Sequence, residues 1–223
     1  KISEQRHLRA IRDGIVSTLP LIIIGSIFLI IAIPPFPKDW AISILAKKHA
    51  AQILLPFRMT MFIMGLYAVI GIGYSLAKSY KLDGITGAIL SVCAFLLTLV
   101  PKVINPIETI TQTVGGKAVQ VVVAEGTKGS QFLQEDLGYV MQMSNLGSAG
   151  LFVGIIVAIF AVEVYRFTTK TGFRIKMPDA VPESVARSFE ALTPAAIIIF
   201  TLTIITYWLK IDLHHIVGLI VTP

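Results

Sequence analysis

The sequence predicts an all-α polytopic membrane protein with about five transmembrane helices, a small external β-hairpin and interfacial amphipathic helices. Three observations predict it. Hydrophobic residues make up 55% of the chain and charged residues 14%, where a soluble domain carries about 25% charged. Five stretches, 15–33, 59–77, 84–101, 146–162 and 191–209, each run 17 to 19 residues without a charge. A helix rises about 1.5 Å per residue, so roughly 20 such residues cross a hydrocarbon core about 30 Å thick. The stretches lack the period-2 alternation of barrel strands, which leaves helices as the spanning form.

The loops between these stretches set the expected orientation. Lys and Arg favour the cytoplasmic side of a membrane. Arg6, Arg9 and Arg12 lie in the leader, Lys78 and Lys81 after the second stretch, and Arg166, Arg174 and Arg187 after the fourth. The alternate loops are longer and poorer in arginine. The amino terminus is therefore expected in the cytoplasm and Pro223 outside, because five spans put the ends on opposite faces. The net charge of +6 raises nucleic acid as a partner. The charge sits at membrane boundaries, so no nucleic acid is expected. A chain that opens on Lys1 and closes on Pro223 soon after a span reads as part of something longer.

The elements follow in order. The leader, 1–14, interleaves Ile2, Leu8 and Ile11 with Arg6, Arg9 and Arg12. Such a basic face fits a helix lying at lipid headgroups, or an extension of the first span. Pro20 is expected to bend that span, since it removes an internal hydrogen bond. The PPFP run from Pro34 ends it. A loop with a short helical piece follows, and Arg58 opens the second span as an anchor that snorkels outward. The short 78–83 loop predicts antiparallel packing of the second and third spans. The longest loop, 103–145, is expected outside. Within it KAVQVVVA, from Lys117, is β-prone and is followed by turn signals in EGTKGS from Glu125, which predicts a hairpin with the segment from Gln131.

Small residues mark packing faces. Gly150 and Gly154 form a GxxxG step in the fourth span with Ala158 in line, and Gly84, Gly87 and Ser91 do similar work on the third. Such residues let helix backbones approach closely, without naming the partner helix. The loop 166–190 is expected to be cytoplasmic and amphipathic. Val181, Val185, Phe189 and Leu192 fall on one helical stripe, and Pro178 and Pro182 are candidate hinge residues setting its angle to the fifth span.

Chemistry is sparse. The five apolar cores hold no ionisable side chain, where an ion-coupled transporter usually buries some. Glu163 closes the fourth span beside Arg166 and reads as an interfacial ion pair. His7, His49, His214 and His215 are scattered, and Cys93 stands alone, so no disulfide, metal site or cofactor is expected. No metalloprotease, P-loop or nucleophile-elbow motif is present. No catalytic residue is assigned, and substrate-binding residues stay unknown.

Three segments taken together resemble a known family. They are RHLRAIRDGIVSTLPLIIIGSIFLI from Arg6, YSLAKSYKLDGITGAILSVCAFLL from Tyr74 and MPDAVPESVARSFEALTPAAI from Met177. They are similar to the amino-terminal half of enzyme IIC, the membrane component of bacterial sugar phosphotransferase systems, in the lactose/cellobiose branch that includes diacetylchitobiose transporters. The resemblance covers 1–223 and implies a scaffold and dimerisation domain of a longer protein in the bacterial inner membrane. It implies a homodimer, a second half that holds the disaccharide, and a IIB partner that carries a phosphocysteine. The family's sugar-binding motifs match no position here. Two other readings stay open: half of an ion-coupled transporter, and a membrane scaffold that transports nothing.

Overall fold

The computed structural model describes residues 5–37, 39–100, 102–104, 109–114, 117–122, 138–141, 143–175, 178 and 181–221. The chain divides into a helical unit, Lys1–Val100 with Met143–Pro223, and a strand unit, Pro101–Gln142.

The helical unit opens with α1 (Arg6–Val16) and α2 (Leu19–Ala32). Pro20 sits in the first turn of α2. Proline lacks an N–H and its ring crowds the carbonyl four residues back, so the helix is interrupted at Ser17 and Thr18. Their hydroxyls bond back to Gly14 O at 2.6 Å and Ile15 O at 2.7 Å. Ile23, Ile27 and Ile30 of α2 stand exposed. Three short helices follow: α3 (Ala41–Lys48), α4 (Ala50–Ile53) and α5 (Leu55–Met59). The second span was expected from residue 59 as one helix. Instead the chain turns at Thr60, makes a 3₁₀ turn at Met61–Ile63, and starts α6 only at Met64, running to Ser79. Thr60 explains the break: its hydroxyl donates to Pro56 O at 2.7 Å, and Gly25 of α2 packs directly against its side chain.

The α6 helix is the centre of the unit. Val69, Ile72 and Leu76 are fully buried. Lys81 takes a left-handed conformation, φ 61°, and reverses the chain into α7 (Gly84–Thr98). The α6 and α7 backbones nearly touch. A Cβ added at Gly73 would lie 2.8 Å from Gly87 O, and one at Gly87 2.8 Å from Gly73 O. The long α8 (Ser148–Thr171) packs Val157 and Ala161 against Leu90 and Ala94 of α7. It ends at Gly172, φ 72°, a conformation that glycine adopts without steric cost. The amphipathic α9 (Glu183–Glu190) leads into α10 (Leu192–Thr203), whose Ile198 and Leu202 complete that core. A π-helical turn at Ile204–Trp208 precedes α11 (Leu213–Val221).

Four helices among the described residues are long and apolar enough to cross a membrane: Arg6–Ala32, Ala50–Ser79, Ser148–Thr171 and Val185–Trp208. The third stretch forms α7, which at 15 residues is shorter than the roughly 20 that a straight crossing needs. The strand unit pairs β1 (Lys102–Ile104) with β4 (Gly138–Val140) and β2 (Thr109–Val114) with β3 (Lys117–Val122), both antiparallel. This corrects the expected partner of the Lys117 strand. Val114 pairs with Lys117, so the connection is Gly115-Gly116, a two-residue hairpin sequence. The EGTKGS segment lies outside the described residues.

Candidate functional site

Polar side chains gather at one end of the helical unit, where α1 begins, α6 ends, α7 begins and α8 nears its end. His7 Nε2 lies 2.9 Å from Glu163 Oε1 and 3.2 Å from the Tyr80 hydroxyl. Tyr80 donates its hydroxyl to the same Glu163 oxygen. Arg166 bonds the other oxygen at 3.2 Å and lays its guanidinium over the Tyr80 ring, 4.2 Å from its centre. Arg6 approaches that ring at 5.6 Å. One carboxylate thus ties three helices together. Burial pushes the Tyr80 phenol above its ordinary value, and the Glu163 carboxylate adds to it.

A second cluster starts α7. Asp83 accepts from the Thr86 N–H and the Thr86 hydroxyl, both at 2.8 Å, and capping of this kind satisfies a helix's first free N–H groups. Arg187 of α9 donates to the other Asp83 oxygen at 3.3 Å. The Thr86 N–H holds the Asp83 carboxyl below the usual carboxylate range; burial opposes, and Arg187 adds to the lowering. Nearby, Arg174 donates to Glu190 at 2.6 Å. The turn after α8 is thereby pinned to the end of α9. Beside Asp83 an open groove of about 500 Å³ runs between α7, α9 and α10.

Toward the opposite end, Thr98 of α7 meets His214 of α11. Thr98 donates its only hydroxyl proton to Phe95 O at 2.6 Å. His214 Nε2, 3.1 Å from the same oxygen, is therefore the donor. Burial pushes His214 below the usual histidine range, in keeping with a neutral ring.

The sequence-predicted residues distribute as follows. Gly154 faces α6, where an added Cβ would meet Val69 Cγ2 at 2.6 Å. Gly150 is buried against the Asn145 carbonyl, and Ala158 is fully buried against α6 and α7. Gly84 faces the Tyr74 ring, where an added Cβ would meet Cε2 at 2.6 Å. Pro182 caps α9, and Pro178 O accepts from Val181 N at 3.1 Å. Glu163 and Arg166 do pair, as their spacing predicts. His7 and Tyr80 were missed as their partners, and so was Thr98 as the partner of His214. The signal for Tyr80 was available: an aromatic hydroxyl just past a span, on the same face as two basic segments.

Known proteins bear on this arrangement. The chain is 38% identical to the cellobiose-specific EIIC component of Geobacillus stearothermophilus, over 89% of this chain and 40% of that protein. It is 36% identical to the lichenan permease IIC component of Bacillus subtilis strain 168, over 90% of this chain and 40% of that protein. The crystal structure of ChbC, the IIC component of the N,N'-diacetylchitobiose-specific phosphotransferase system, superposes with a TM-score of 0.74 at 36% identity, covering 98% of this chain and 47% of that one. The chain therefore spans less than half the length of these relatives. Residues 12–221 match the family described as Phosphotransferase system, EIIC, and the chain belongs to that family of integral membrane proteins.

Proposed function

We propose that this chain is the amino-terminal scaffold of a longer EIIC permease, which carries a β-linked disaccharide across the bacterial inner membrane and delivers it for phosphorylation. The observation that carries this reading is the family match over nearly the whole chain, together with relatives named for cellobiose, lichenan and diacetylchitobiose. The parent protein hands its sugar to a IIB phosphocarrier, assembles as a homodimer, and binds the disaccharide in the half that follows this one. The amino terminus faces the cytoplasm, the strand unit lies outside, and five helices cross.

The scaffold role is supported by the polar residues themselves. The described carboxylates near the bundle are engaged: Glu163 by three side chains, Asp83 by Thr86 and Arg187, Glu190 by Arg174. They hold helices in place at one end and put no acidic group in the apolar middle, where ion coupling would need one. The small residues Gly84, Gly87, Gly150, Gly154 and Ala158 serve packing within the unit, and Pro178 and Pro182 set the angle at which α9 enters α10.

Right-side-out vesicles holding the full-length protein, with phosphoenolpyruvate and the phosphocarrier proteins enclosed, test this reading. Uptake that requires phosphoenolpyruvate and the phosphocarrier proteins, and that yields a sugar phosphate, is the expected result. Uptake of free sugar that collapses with an ionophore would overturn it.

A further inference from the structure

Leu213, His214 and Val217 hold α11 on the bundle. Leu213 and Val217 pack against the core shared by α7, α8 and α10. The His214 ring lies 6.2 Å from that of Phe95, and Gly150 of α8 leaves room for it: an added Cβ there would stand 3.3 Å from His214 Cε1. The two ring nitrogens differ. Nε2 donates to the Thr98 hydroxyl, whose own proton is committed to Phe95 O. A neutral imidazole has one donor and one acceptor, so Nδ1 carries a bare lone pair. Nδ1 is buried and has no hydrogen-bond partner among the described residues. A proton added there makes a buried cation whose new N–H finds no acceptor, which is a far costlier state than an idle lone pair. The atom is enclosed by this chain's own residues, so an acceptor from elsewhere cannot reach it while α11 stays in place.

The join between α10 and α11 is irregular. A π-helical turn at Ile204–Trp208 ends α10, and Lys210 takes φ 51°, a left-handed conformation uncommon for a residue with a side chain. Hinges use a few such residues at the ends of elements. We propose that α11 is a pH-gated latch, docked on α7 and α8 while His214 is neutral and released when Nδ1 takes a proton. The residues that meet the ring from α7 and α8 are Phe95, Thr98 and Gly150, none of which titrates in this range. The α10 residues of the same core, Ile198 and Leu202, carry no charge. Asp212, just before α11, favours the protonated ring; burial opposes it and prevails. His215 is exposed and stands apart from the contact. A histidine free in water titrates near about 6.5, and the docked ring lies below that. Docking is therefore complete above this range and weakens as pH falls through it toward the docked value. The latch involves no sugar and no phosphocarrier, so it and the uptake reading fail separately.

The test is amide hydrogen exchange of the full-length protein in lipid nanodiscs, from about pH 7.5 to about pH 5, where a histidine changes charge, with intrinsic exchange chemistry divided out. Peptides of α11 are expected to lose protection by about tenfold per pH unit between the free and docked values, while peptides of α8 keep theirs. Asp212→Asn keeps a side-chain acceptor for the His215 N–H and removes the charge, so the loss should move to lower pH. His214→Gln has an amide that can donate to Thr98 and does not titrate, so it should flatten the response. His215→Gln should respond as wild type does. Protection of α11 that is constant with pH in wild type overturns the proposal. So does a response that persists in His214→Gln, stays in place in Asp212→Asn, or vanishes in His215→Gln. Should His214→Gln fail to dock at any pH, the shift in Asp212→Asn decides.

Discussion

Asp83 closes the turn between α6 and α7 and caps α7 at the same time. Its carboxylate takes two bonds from Thr86 and one from Arg187. The Thr86 N–H holds its folded pKa below the ordinary value. An unfolded aspartate titrates near about 3.9, so the sign is set. The stabilisation is complete above that range and is lost as pH falls through the lower, folded value. Asp83→Ala should therefore lower stability by about 1 kcal/mol at neutral pH, as loss of a helix cap does. The gap between variant and wild type should close as the pH is taken below the carboxylate range. Thermal midpoints in detergent at neutral and acid pH check this, and a gap that persists in acid would count against the carboxylate. Tyr80 makes a second residue-scale case. Its hydroxyl bonds Glu163, which also holds His7 of α1. Tyr80→Phe removes one of the links between the leader and α8, at a cost of about 1 kcal/mol. Amide exchange should quicken in α1 and stay unchanged in α7. His7 and Tyr80 were not legible as a pair, because they lie 73 positions apart and only the packing of α1 on α6 brings them together.

At the scale of elements, the apolar helices were legible because lipid leaves a long uncharged stretch few other choices. Their ends were not. The uncharged stretch from residue 59 reads as one helix, yet the Thr60 hydroxyl bonds back to Pro56 O and a 3₁₀ turn at Met61–Ile63 delays α6 to Met64. A charge count does not see a side chain bonding its own backbone. The strand pairing was misread for a related reason. EGTKGS holds more turn-forming residues, but Lys117–Val122 pairs back onto Thr109–Val114 with two residues between the strands, and a two-residue connection is among the commonest in hairpins. The small-residue faces were visible as spacing, and their partner helices became visible only in three dimensions. Gly154 meets Val69 of α6. Gly154→Leu should overpack that contact and cost about 1–3 kcal/mol. Gly218→Ala, with nothing within 4 Å of an added Cβ, should leave the thermal midpoint unchanged. Equal midpoints for wild type and Gly154→Leu would dismiss the close approach. Pro182 belongs to this scale too. It caps α9 and has no N–H to donate, so Pro178→Ala and Pro182→Ala together should free the α9–α10 angle. Uptake by the full-length protein is expected to fall with its oligomeric state unchanged, and unchanged uptake would remove the hinge role.

For the whole molecule, the polar clusters and the apolar walls impose one geometry. The ion-paired end holds Glu163, Asp83 and Glu190 with Arg166, Arg187 and Arg174. The other end holds the neutral Thr98–His214 contact. Arginine costs about 2.5–3.5 kcal/mol at a membrane centre, so the charged end must lie at a surface. Because Lys and Arg favour the cytoplasmic side, the proposed orientation puts this end in the cytoplasm. This part of the architecture follows from composition, because charge position is a property of the sequence and helix direction alternates along it. The orientation can be measured by thiol accessibility. Cys93 is the chain's single cysteine, so Cys93→Ser provides a background without thiols. Thr171 and Ala51 are both exposed and lie toward opposite ends of the bundle. In intact cells a membrane-impermeant maleimide should label Ala51→Cys and spare Thr171→Cys, and in inverted vesicles the pattern should reverse. Labelling of Thr171→Cys from outside would turn the molecule over. It would then put the Arg174–Glu190 pin and the α9 surface on the face away from any cytoplasmic phosphocarrier, and the uptake reading would lose its route for the phosphoryl group.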